Sequence, residues 1–403
     1  MEIDLDKLRA LRVLGRGAMG TVFLVADRSA SPASLYALKV FEKHSPNTKP
    51  DADRRARWEV SVLSRLSHLY LPCLIGSAET SELLAWAVPF CPGGDLNTLR
   101  YSLSDGVFST AAIRFYLTEI ISALAHLHSL GIVYRDLKPE NVLIQADGHI
   151  TLTDFDLSRN LQKKQNVPQL YSPRAIPVEP ASKQHRRNFT RIFFGNSPSE
   201  YFGEQLKKAK SARVSPVSKR RPSFTSHGSG NDMYERSFSF VGTEEYVSPE
   251  VVRGDGHEFA VDWWSLGVLT YEMAYGNTPF KGRNRKETFR NVLTRQPEFV
   301  GRRRSELTDL IGKLLAKDPS KRLGFAGGAE EVKAHPFFSG VKWDLLDEIM
   351  RPPYLPPIED LEEETAALES AAAGEGFDVR EYFRQLREPS PATDQSTSAL
   401  TEF

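Results

Sequence analysis

The fold of this chain is decided by residues 134–156, which begin Tyr134-Arg135-Asp136-Leu137-Lys138-Pro139-Glu140-Asn141 and end Asp154-Phe155-Asp156. Between these ends, two short apolar and β-branched segments, 142–144 and 150–152, flank the dipeptide Asp147-Gly148. An Asp-Gly pair in this setting predicts a tight hairpin with a two-residue loop. Such a loop pairs residue 146 with 149 and residue 144 with 151, so it places Asn141 opposite Asp154 at the open end.

Groups suited to phosphate chemistry gather at that open end. The amide of Asn141 and the carboxylate of Asp154 supply oxygen ligands of the kind that hard divalent cations bind. Asp136 and Lys138 lie just upstream, on the loop that leads into the hairpin. A carboxylate base, a cation and two Mg²⁺ ligands within about twenty residues are what phosphoryl transfer needs. The stretch therefore predicts that chemistry.

The flanking sequence predicts a small sheet followed by a larger helical region. Short β-branched and aromatic segments occur at 11–14, 21–26, 36–41 and 84–89, and a helical pattern over 54–66 interrupts them. From residue 113 onward the helical period dominates, with apolar residues lining one face at Ile113, Leu117, Ile120, Ile121, Leu124 and Leu127. We therefore expect one small β-rich domain and one helical domain.

A glycine-rich segment connects the first two predicted strands: Gly15-Arg16-Gly17-Ala18-Met19-Gly20-Thr21-Val22. Glycines let a hairpin backbone approach a phosphate group closely and present its N–H donors. Because a strand follows the segment, a dinucleotide-binding fold, which needs a helix there, is disfavoured. A plain turn that binds nothing stays open as an interpretation.

Lys39 interrupts an otherwise apolar strand, and Glu59 falls on the helix that follows. A lysine on such a strand commonly extends its amine to solvent. Alternatively, Glu59 pairs with a buried ammonium and holds Lys39 toward nucleotide phosphates.

Composition excludes several classes of protein. The 403 residues are 40% hydrophobic and 26% charged, and no apolar run reaches the roughly 18 residues of a membrane span. Two cysteines, Cys73 and Cys91, cannot build a disulfide framework. Lys plus Arg equals Asp plus Glu at 52 each, so the overall charge favours no polyanionic partner. The N-terminus lacks the pattern of a secretory signal, and we expect the cytoplasm and the nucleus.

Together, these motifs resemble the protein kinase family over about residues 8–340. The matching features, in the family's order, are Gly15 to Val22, Lys39, Glu59, Asp136, Asn141, Asp154, Ser248-Pro249-Glu250, Asp262 and Arg322. The segment from Ser239 to Tyr246 and the proline-containing tail resemble the AGC group. Asp154-Phe155-Asp156, in place of Asp-Phe-Gly, and a long insertion are similar to the plant AGC VIII kinases.

The resemblance implies an α+β, bilobal protein-kinase fold. Its β-rich N-lobe with one main helix would span 8–90, its mostly helical C-lobe 91–340 and an AGC-type tail 341–403. A basic insertion, at about 160–236, would interrupt the C-lobe; residues 157–238 hold 16 Lys and Arg against 5 Asp and Glu. Composition favours an irregular structure there.

The resemblance also implies an ATP- and Mg²⁺-dependent kinase for Ser and Thr hydroxyls of protein substrates, with autophosphorylation. Asp136 would accept or orient the hydroxyl proton, Lys138 would stabilise the γ-phosphoryl group, and Asn141 and Asp154 would hold Mg²⁺. The implied ATP-binding residues are Gly15, Arg16, Gly17, Ala18, Gly20, Val22, Lys39, Glu59, Pro89 and Cys91. Pro89 has no N–H, but adenine needs only its carbonyl, while Cys91 supplies the N–H.

The same resemblance gives roles to four further residues. Asp262 would tie down the backbone of the loop around Asp136, although an ordinary helix acid stays open. Glu250 and Arg322 would form a buried structural pair. Asp156 stands where the family usually has glycine, and we expect a stiffer but active segment there.

Regulation and substrate choice are implied as well. Ser239 matches the activation-loop phosphosite of AGC kinases, where a phosphate would pair with Arg135 and Arg159; an unmodified serine stays open. The acidic residues that would select basic residues upstream of the phosphoacceptor are Asp95, Glu140 and Glu272. Arg220-Arg221-Pro222-Ser223, within the insertion, fits that preference and makes Ser223 a candidate for autophosphorylation.

Partners are predicted from the basic insertion and the tail. Lys207-Lys208-Ala209-Lys210 and Lys219-Arg220-Arg221 favour importin binding, with a phosphate-rich membrane surface, nucleic acid or a solvated charge run as alternatives. Nucleic acid is disfavoured because aromatic stacking periodicity is missing. Leu400-Thr401-Glu402-Phe403 partly matches the AGC hydrophobic motif, which implies an upstream phosphoinositide-dependent kinase. The resemblance further implies regulation of plant growth and development; a catalytically silent kinase-fold scaffold is the alternative function.

Overall fold

The computed structural model describes residues 2–17, 19–27, 34–44, 51–161, 239, 242–301, 304–346, 351–355, 366 and 376–387. They fall into two compact units. The first unit holds the described residues of Met1–Gly94, Leu143–Asp156 and Tyr354–Phe403. The second holds those of Asp95–Val142 and Leu157–Pro353. Ala18, Ser223, the basic clusters at 207–221 and Leu400–Phe403 lie outside the described residues.

Strands and helices follow in chain order. The strands are β1 (Leu8–Gly17), β2 (Gly20–Asp27), β3 (Ser34–Glu42), β4 (Gly76–Glu79), β5 (Leu83–Pro89), β6 (Ile132–Val133), β7 (Val142–Ile144), β8 (Ile150–Leu152) and β9 (Arg159–Asn160). The helices are α1 (Ala52–Leu63), α2 (Leu96–Ser102), α3 (Thr110–Ser129), α4 (Pro249–Arg253), α5 (Ala260–Tyr275), α6 (Arg285–Thr294), α7 (Glu306–Leu314), α8 (Gly328–Lys333) and a tail helix (Val379–Arg387).

An antiparallel sheet of five strands, in the order β1-β2-β3-β5-β4, forms the centre of the first unit. Its register aligns Phe23 with Leu38 and Leu38 with Ala87 on one face. On the opposite face, Val22 lies beside Lys39, and Lys39 beside Trp86. The predicted strands and the single helix are confirmed. Strand β4 was not predicted, because its sequence Gly-Ser-Ala-Glu contains no β-branched or aromatic residue.

The face that carries Phe23 is covered by the tail helix. Phe377 pairs with Ala10 on β1 through two backbone hydrogen bonds of 2.9 and 3.0 Å. The Phe23 ring meets the rings of Tyr382 and Phe383 edge to face, with centroids 5.0 and 5.9 Å apart. Chain ends that are distant in sequence therefore share one apolar core.

The hairpin formed by β7 and β8 has a longer loop than the sequence predicted. The N–H of Gly148 donates to the carbonyl of Gln145 at 3.0 Å, and the N–H of Gln145 donates to the carbonyl of His149 at 2.7 Å. Gly148 has a φ of 86°, whereas Asp147 has no positive φ. A two-residue loop of the favoured type needs positive φ at both positions, so a three-residue loop with a glycine bulge forms instead. The prediction of a two-residue loop is wrong, and register no longer places Asn141 directly opposite Asp154.

The second unit is mostly helical, as predicted. The apolar positions predicted for one face of α3 are all fully buried, and Ser109 caps the helix by accepting a 3.1 Å hydrogen bond from the N–H of Ala112. Helix α5 is buried on nearly every side. In the part of the chain that the structure describes, no helix is long and apolar enough to cross a membrane.

Candidate active site

Lys39, Glu59 and Asp154 converge within the first unit. The Lys39 Nζ donates to both carboxylate oxygens of Glu59, at 2.7 and 3.0 Å, and to Oδ1 of Asp154 at 3.0 Å. The Glu59 side chain is 4% exposed, whereas that of Asp154 is 35% exposed. The pairing of Lys39 with Glu59 that the sequence suggested is confirmed. The alternative, in which Lys39 extends its amine to solvent, is wrong. Part of the Asp154 carboxylate therefore stays accessible to solvent.

Electrostatics keep the Lys39 ammonium charged. Burial alone would lower the pKa of Lys39, but the carboxylates of Asp154 and Glu59 raise it above its ordinary value. Burial raises the pKa of Glu59, and the ammonium of Lys39 opposes that rise. A persistent cation beside an accessible carboxylate suits a polyphosphate with its counter-ion.

In the glycine-rich turn between β1 and β2, two glycines have open space beside them and a third is closely packed. Gly17 pairs with Gly20 across the turn, and a Cβ added to Gly15 or Gly17 would meet no atom of the described residues within 4 Å. Gly20 is different, because its φ is 123° and a Cβ there would lie 2.1 Å from the carbonyl oxygen of Val40. Glycine is therefore required at position 20 by close packing.

The predicted adenine hinge follows β5, which ends at Pro89 opposite Tyr36. Burial, followed by the nearby Asp147 carboxylate, raises the pKa of the Cys91 thiol to about 12. The thiol is therefore protonated and unreactive at neutral pH. The backbone beyond it is fixed, since the N–H of Gly93 donates to the Ile144 carbonyl at 3.1 Å.

Asp136 lies in the second unit at the centre of a hydrogen-bond network and is 4% exposed. Its Oδ2 accepts from Lys138 Nζ at 2.9 Å and from Asn141 Nδ2 at 3.1 Å. Its Oδ1 accepts from Thr243 Oγ1 at 3.0 Å. The structure thus brings together Asp136, Lys138 and Asn141, as the sequence predicted.

Asp262 fixes the backbone of the loop that carries Asp136. Its carboxylate accepts the N–H of Tyr134 at 2.9 Å and the N–H of Arg135 at 2.7 Å, and it contacts His128 Nε2 at 2.8 Å. Arg135 has a φ of 70°, a strained conformation for a residue with a side chain. Asp262 therefore holds the loop, which confirms that prediction and removes the interpretation as an ordinary helix acid.

Two side chains, one in each unit, have oxygen donors of the kind that a magnesium ion binds. The Asn141 amide nitrogen donates to Asp136, which leaves the amide oxygen as the atom that could bind a metal. Asp154, in the first unit, offers a partly exposed carboxylate. Among the described residues there is no group of three or more His, Cys, Asp or Glu that could hold a metal. Mg²⁺ typically takes one or two protein oxygens and completes its shell with substrate phosphates and water.

Arg135 also reaches the predicted phosphosite. Its Nη1 donates to Ser239 Oγ at 2.5 Å, and its Nε donates to the Leu157 carbonyl at 2.7 Å. The same Nη1 lies 3.4 Å from His257 Nε2. Burial and, next, the Arg135 cation lower the pKa of His257 to about 4, so the ring is neutral at pH 7.

The three acidic residues predicted to select basic substrates lie around α2 and Tyr246. Asp95 caps α2 by accepting the N–H of Thr98 at 2.8 Å, and Glu140 accepts from Asn97 Nδ2 at 3.4 Å. Glu272 accepts the Tyr246 hydroxyl at 2.5 Å. Burial raises the pKa of Glu272. Glu140 is the exposed member of the three.

Comparison with known proteins agrees with this fold. The protein kinase domain model matches residues 8–176 and 224–338. The chain therefore belongs to the protein kinase family, and it uses ATP.

Its relatives narrow the class further. The chain is 52% identical to serine/threonine-protein kinase UCN of Arabidopsis thaliana over 397 residues, covering 96% of this chain and 92% of UCN. It is 53% identical to serine/threonine-protein kinase UCNL of the same plant over 392 residues, with 96% and 90% coverage. Serine/threonine-protein kinase AGC1-5, also from Arabidopsis thaliana, is 37% identical over 374 residues, with 89% and 61% coverage. The chain is a serine/threonine protein kinase related to the plant AGC kinases.

Sequence reasoning missed two residues of the site. Thr243 donates to Asp136 and accepts a 3.1 Å hydrogen bond from Lys138 Nζ, although it lies more than a hundred positions away. Arg55, on α1, forms a salt bridge with Asp156. For Thr243 the signal was available, because it belongs to the motif that resembles AGC kinases. For Arg55 no local pattern indicated a partner.

Proposed function

We propose that this kinase transfers the γ-phosphoryl group of ATP, bound with Mg²⁺, to Ser and Thr hydroxyls, with Asp136 as the residue that takes or orients the hydroxyl proton. One observation carries the proposal. The Asp136 carboxylate is buried and held by Lys138 and Asn141, while its remaining oxygen accepts the hydroxyl of Thr243 at 3.0 Å. That last contact is the one a substrate hydroxyl would make.

Each of the other predicted side chains has a separate task. Lys138 brings a cation to 2.9 Å from the Asp136 carboxylate, so it would stabilise negative charge that develops on the transferring group. Asn141 would offer its amide oxygen to Mg²⁺, and Asp154 its exposed carboxylate edge. Bound Mg²⁺ would neutralise phosphate charge.

The remaining predicted ATP-binding residues would hold the nucleotide itself. Lys39, kept charged by Glu59, would bind phosphate oxygens of ATP. Gly15, Gly17 and Gly20 would present backbone N–H groups above the phosphates, together with Arg16 and Val22. Pro89 and Cys91 would bind adenine through main-chain atoms.

We extend the proposal to basic substrates. Asp95, Glu140 and Glu272 add three carboxylates around α2, and the guanidinium of Arg100 lies 3.4 Å from Glu272. A surplus of negative charge remains, which would favour arginine upstream of the phosphoacceptor. Ser223 follows two arginines in the insertion and would then be an autophosphorylation site.

Location and regulation are proposed on the resemblance and on charge. Phosphorylation at Ser239 would activate the enzyme, with an upstream phosphoinositide-dependent kinase as one source. The basic insertion would bind importin, giving access to both cytoplasm and nucleus. A role in plant growth and development rests on the resemblance to the plant AGC VIII kinases alone.

Calorimetric titration of ATP, with and without Mg²⁺, together with a phosphotransfer assay, tests the proposal. The substrate is a serine peptide with arginine on its N-terminal side. We expect wild-type protein to transfer phosphate only with Mg²⁺. Asp154→Asn should abolish the gain in ATP affinity that Mg²⁺ gives and lower the rate about 100-fold or more. Asp105→Asn, at an exposed aspartate, is the matched control and should match wild type in both. Absence of transfer by wild type, or Mg²⁺ dependence unchanged in Asp154→Asn, would overturn the proposal.

A further inference from the structure

A second ion pair joins α1 to the Asp154-Phe155-Asp156 segment within the first unit. The Arg55 guanidinium donates through Nη2 to Oδ2 of Asp156. The Asp156 side chain is 2% exposed and that of Arg55 is 21% exposed. The carboxylate is therefore buried, and a buried carboxylate is tolerated in its charged form only with a partner.

The position of Arg55 on α1 makes this pair more than a local contact. Arg55 and Glu59 are four residues apart, so they share one face of the helix. Glu59 binds Lys39, and Lys39 binds Asp154. The helix is thus connected to the Asp154 segment twice, indirectly through Lys39 and directly through Arg55.

The backbone does not require glycine at position 156. Asp154 has a φ of 59°, but Asp156 is not among the described residues with positive φ. The aspartate that replaces the family's usual glycine therefore costs no backbone strain in this conformation. Its side chain instead supplies the acceptor that Arg55 needs.

The charges of the cluster explain why Arg55 matters. Three carboxylates, those of Glu59, Asp154 and Asp156, surround the cations of Lys39 and Arg55. The Asp156 charge contributes to raising the pKa of both Lys39 and Glu59. Without Arg55, the buried Asp156 would repel Asp154 and Glu59 and compete with them for Lys39.

We infer that Arg55 is a positioning residue for nucleotide binding: by neutralising the buried Asp156 carboxylate, it leaves the Lys39 ammonium to Glu59 and Asp154 and so keeps those three groups in place. The inference rests on the proposed roles of Lys39 and Asp154 in binding MgATP. Arg55 and Asp156 act through those residues and contact no reacting atom themselves.

A double-mutant cycle tests this inference. Four full-length proteins are compared: wild type, Arg55→Met, Asp156→Asn and the double variant. We expect Arg55→Met to raise the KM for ATP, and the Mg²⁺ concentration that gives half-maximal rate, by about tenfold. Asp156→Asn removes the buried charge and should change both by less than about threefold. The double variant should recover to the level of Asp156→Asn, because no unpaired carboxylate remains.

The readout separates positioning from general stability. Partial unfolding lowers the rate per total enzyme but leaves the KM for ATP unchanged, whereas loss of positioning raises that KM. Arg54→Met is the matched control, since Arg54 is the neighbouring arginine on α1 with a side chain 78% exposed; it should behave like wild type. Arg55→Lys, which keeps the charge, should stay within about threefold of wild type.

Each outcome of these measurements either supports or overturns the inference. If Arg55→Met does not fold, recovery of folding and of KM in the double variant supports the inference, and failure of the double variant to fold overturns it. Additive effects in the cycle, or a KM for ATP unchanged in Arg55→Met, also overturn it. Wild-type activity and its Mg²⁺ dependence are measured in the same assay, so failure of the proposed function shows separately as an inactive wild type.

Discussion

The Arg135 guanidinium donates a 2.5 Å hydrogen bond to the hydroxyl of Ser239 while its backbone N–H is bound by Asp262. One residue therefore connects the loop that carries Asp136 to the predicted phosphosite. A phosphate on Ser239 would replace a hydrogen bond to a neutral hydroxyl by an ion pair with Arg135.

Phosphorylation of Ser239 should activate the enzyme. We expect Ser239→Ala to lower the rate of peptide phosphorylation about tenfold relative to phosphorylated wild type, since the segment loses its anchoring charge. Ser104→Ala, at an exposed serine of the same unit, should have no effect. Mass spectrometry of Ser239 with rates before and after phosphatase treatment checks this; wild-type protein that carries the phosphate and keeps its full rate after dephosphorylation contradicts it.

Removing one partner of the bidentate pair of Arg322 and Glu250 should destabilise the helical unit strongly. The two hydrogen bonds of the pair measure 2.7 and 2.9 Å, and Arg322 also donates to the Ala260 carbonyl at 2.7 Å. Burial alone would raise the pKa of Glu250, but Arg322 lowers it. Arg322→Met should reduce the free energy of unfolding by about 3–5 kcal/mol, because Glu250 is left buried and unpaired.

Urea denaturation at pH 7 measures that loss. Arg290→Met serves as the control, because Arg290 is 59% exposed and its pair with Glu287 is long, at 3.4 Å. The control should change the free energy of unfolding by less than about 1 kcal/mol. Equal losses in the two variants would show that Arg322 is not a structural brace.

His257 should make the protein acid-sensitive. The ring faces Arg135, Arg159, Glu250 and Asp262, and its pKa falls to about 4, below its ordinary value of 6.5. Between those pH values the unfolded chain binds a proton that the folded chain does not, so stability declines as pH falls from 6.5 to about 4. The loss attributable to His257 is on the order of 3 kcal/mol.

Unfolding free energies at pH 7.0, 5.5 and 4.0 test that sign. The difference between wild type and His257→Gln should shift steadily in favour of the variant as pH falls, because glutamine does not titrate. Parallel pH dependence of the two proteins would contradict a neutral buried His257.

Glu140 should contribute to the preference for arginine. We expect Glu140→Gln to raise the KM for an arginine-containing peptide about two- to fivefold, the range typical of partly exposed charge pairs, while the KM for ATP stays constant. A peptide with that arginine replaced by alanine should show no difference between the proteins. Glu330→Gln, with a side chain 79% exposed, is the control. An equal rise in KM for both peptides would show that Glu140 does not recognise that arginine.

The sequence predicted what depends on near neighbours. Periodicity identified four strands, helix α1 and the buried face of α3, and Lys39 on its strand suggested Glu59 because both lie on adjacent elements. These features follow from side-chain alternation and helical spacing, which are local properties.

The features that the sequence did not predict depend on tertiary contacts, or on backbone conformations that a single motif does not determine. Asp147-Gly148 is compatible with a two-residue turn and with a glycine bulge, and only the observed φ of 86° at Gly148 distinguishes them. The contacts of Arg55 with Asp156 and of Thr243 with Asp136 join residues about a hundred positions apart. The periodicity of apolar residues carries no information about contacts between residues so far apart in sequence.

The most direct test of the account is the rate of phosphoryl transfer by Asp136→Asn, measured beside its affinity for MgATP. Asparagine keeps the shape of the side chain and its contact with Lys138 but cannot take the substrate proton. We predict that affinity stays within about threefold of wild type, while the rate falls about 100-fold to 10 000-fold. A variant that binds MgATP and transfers phosphate at the wild-type rate would contradict the assignment of Asp136 as the base.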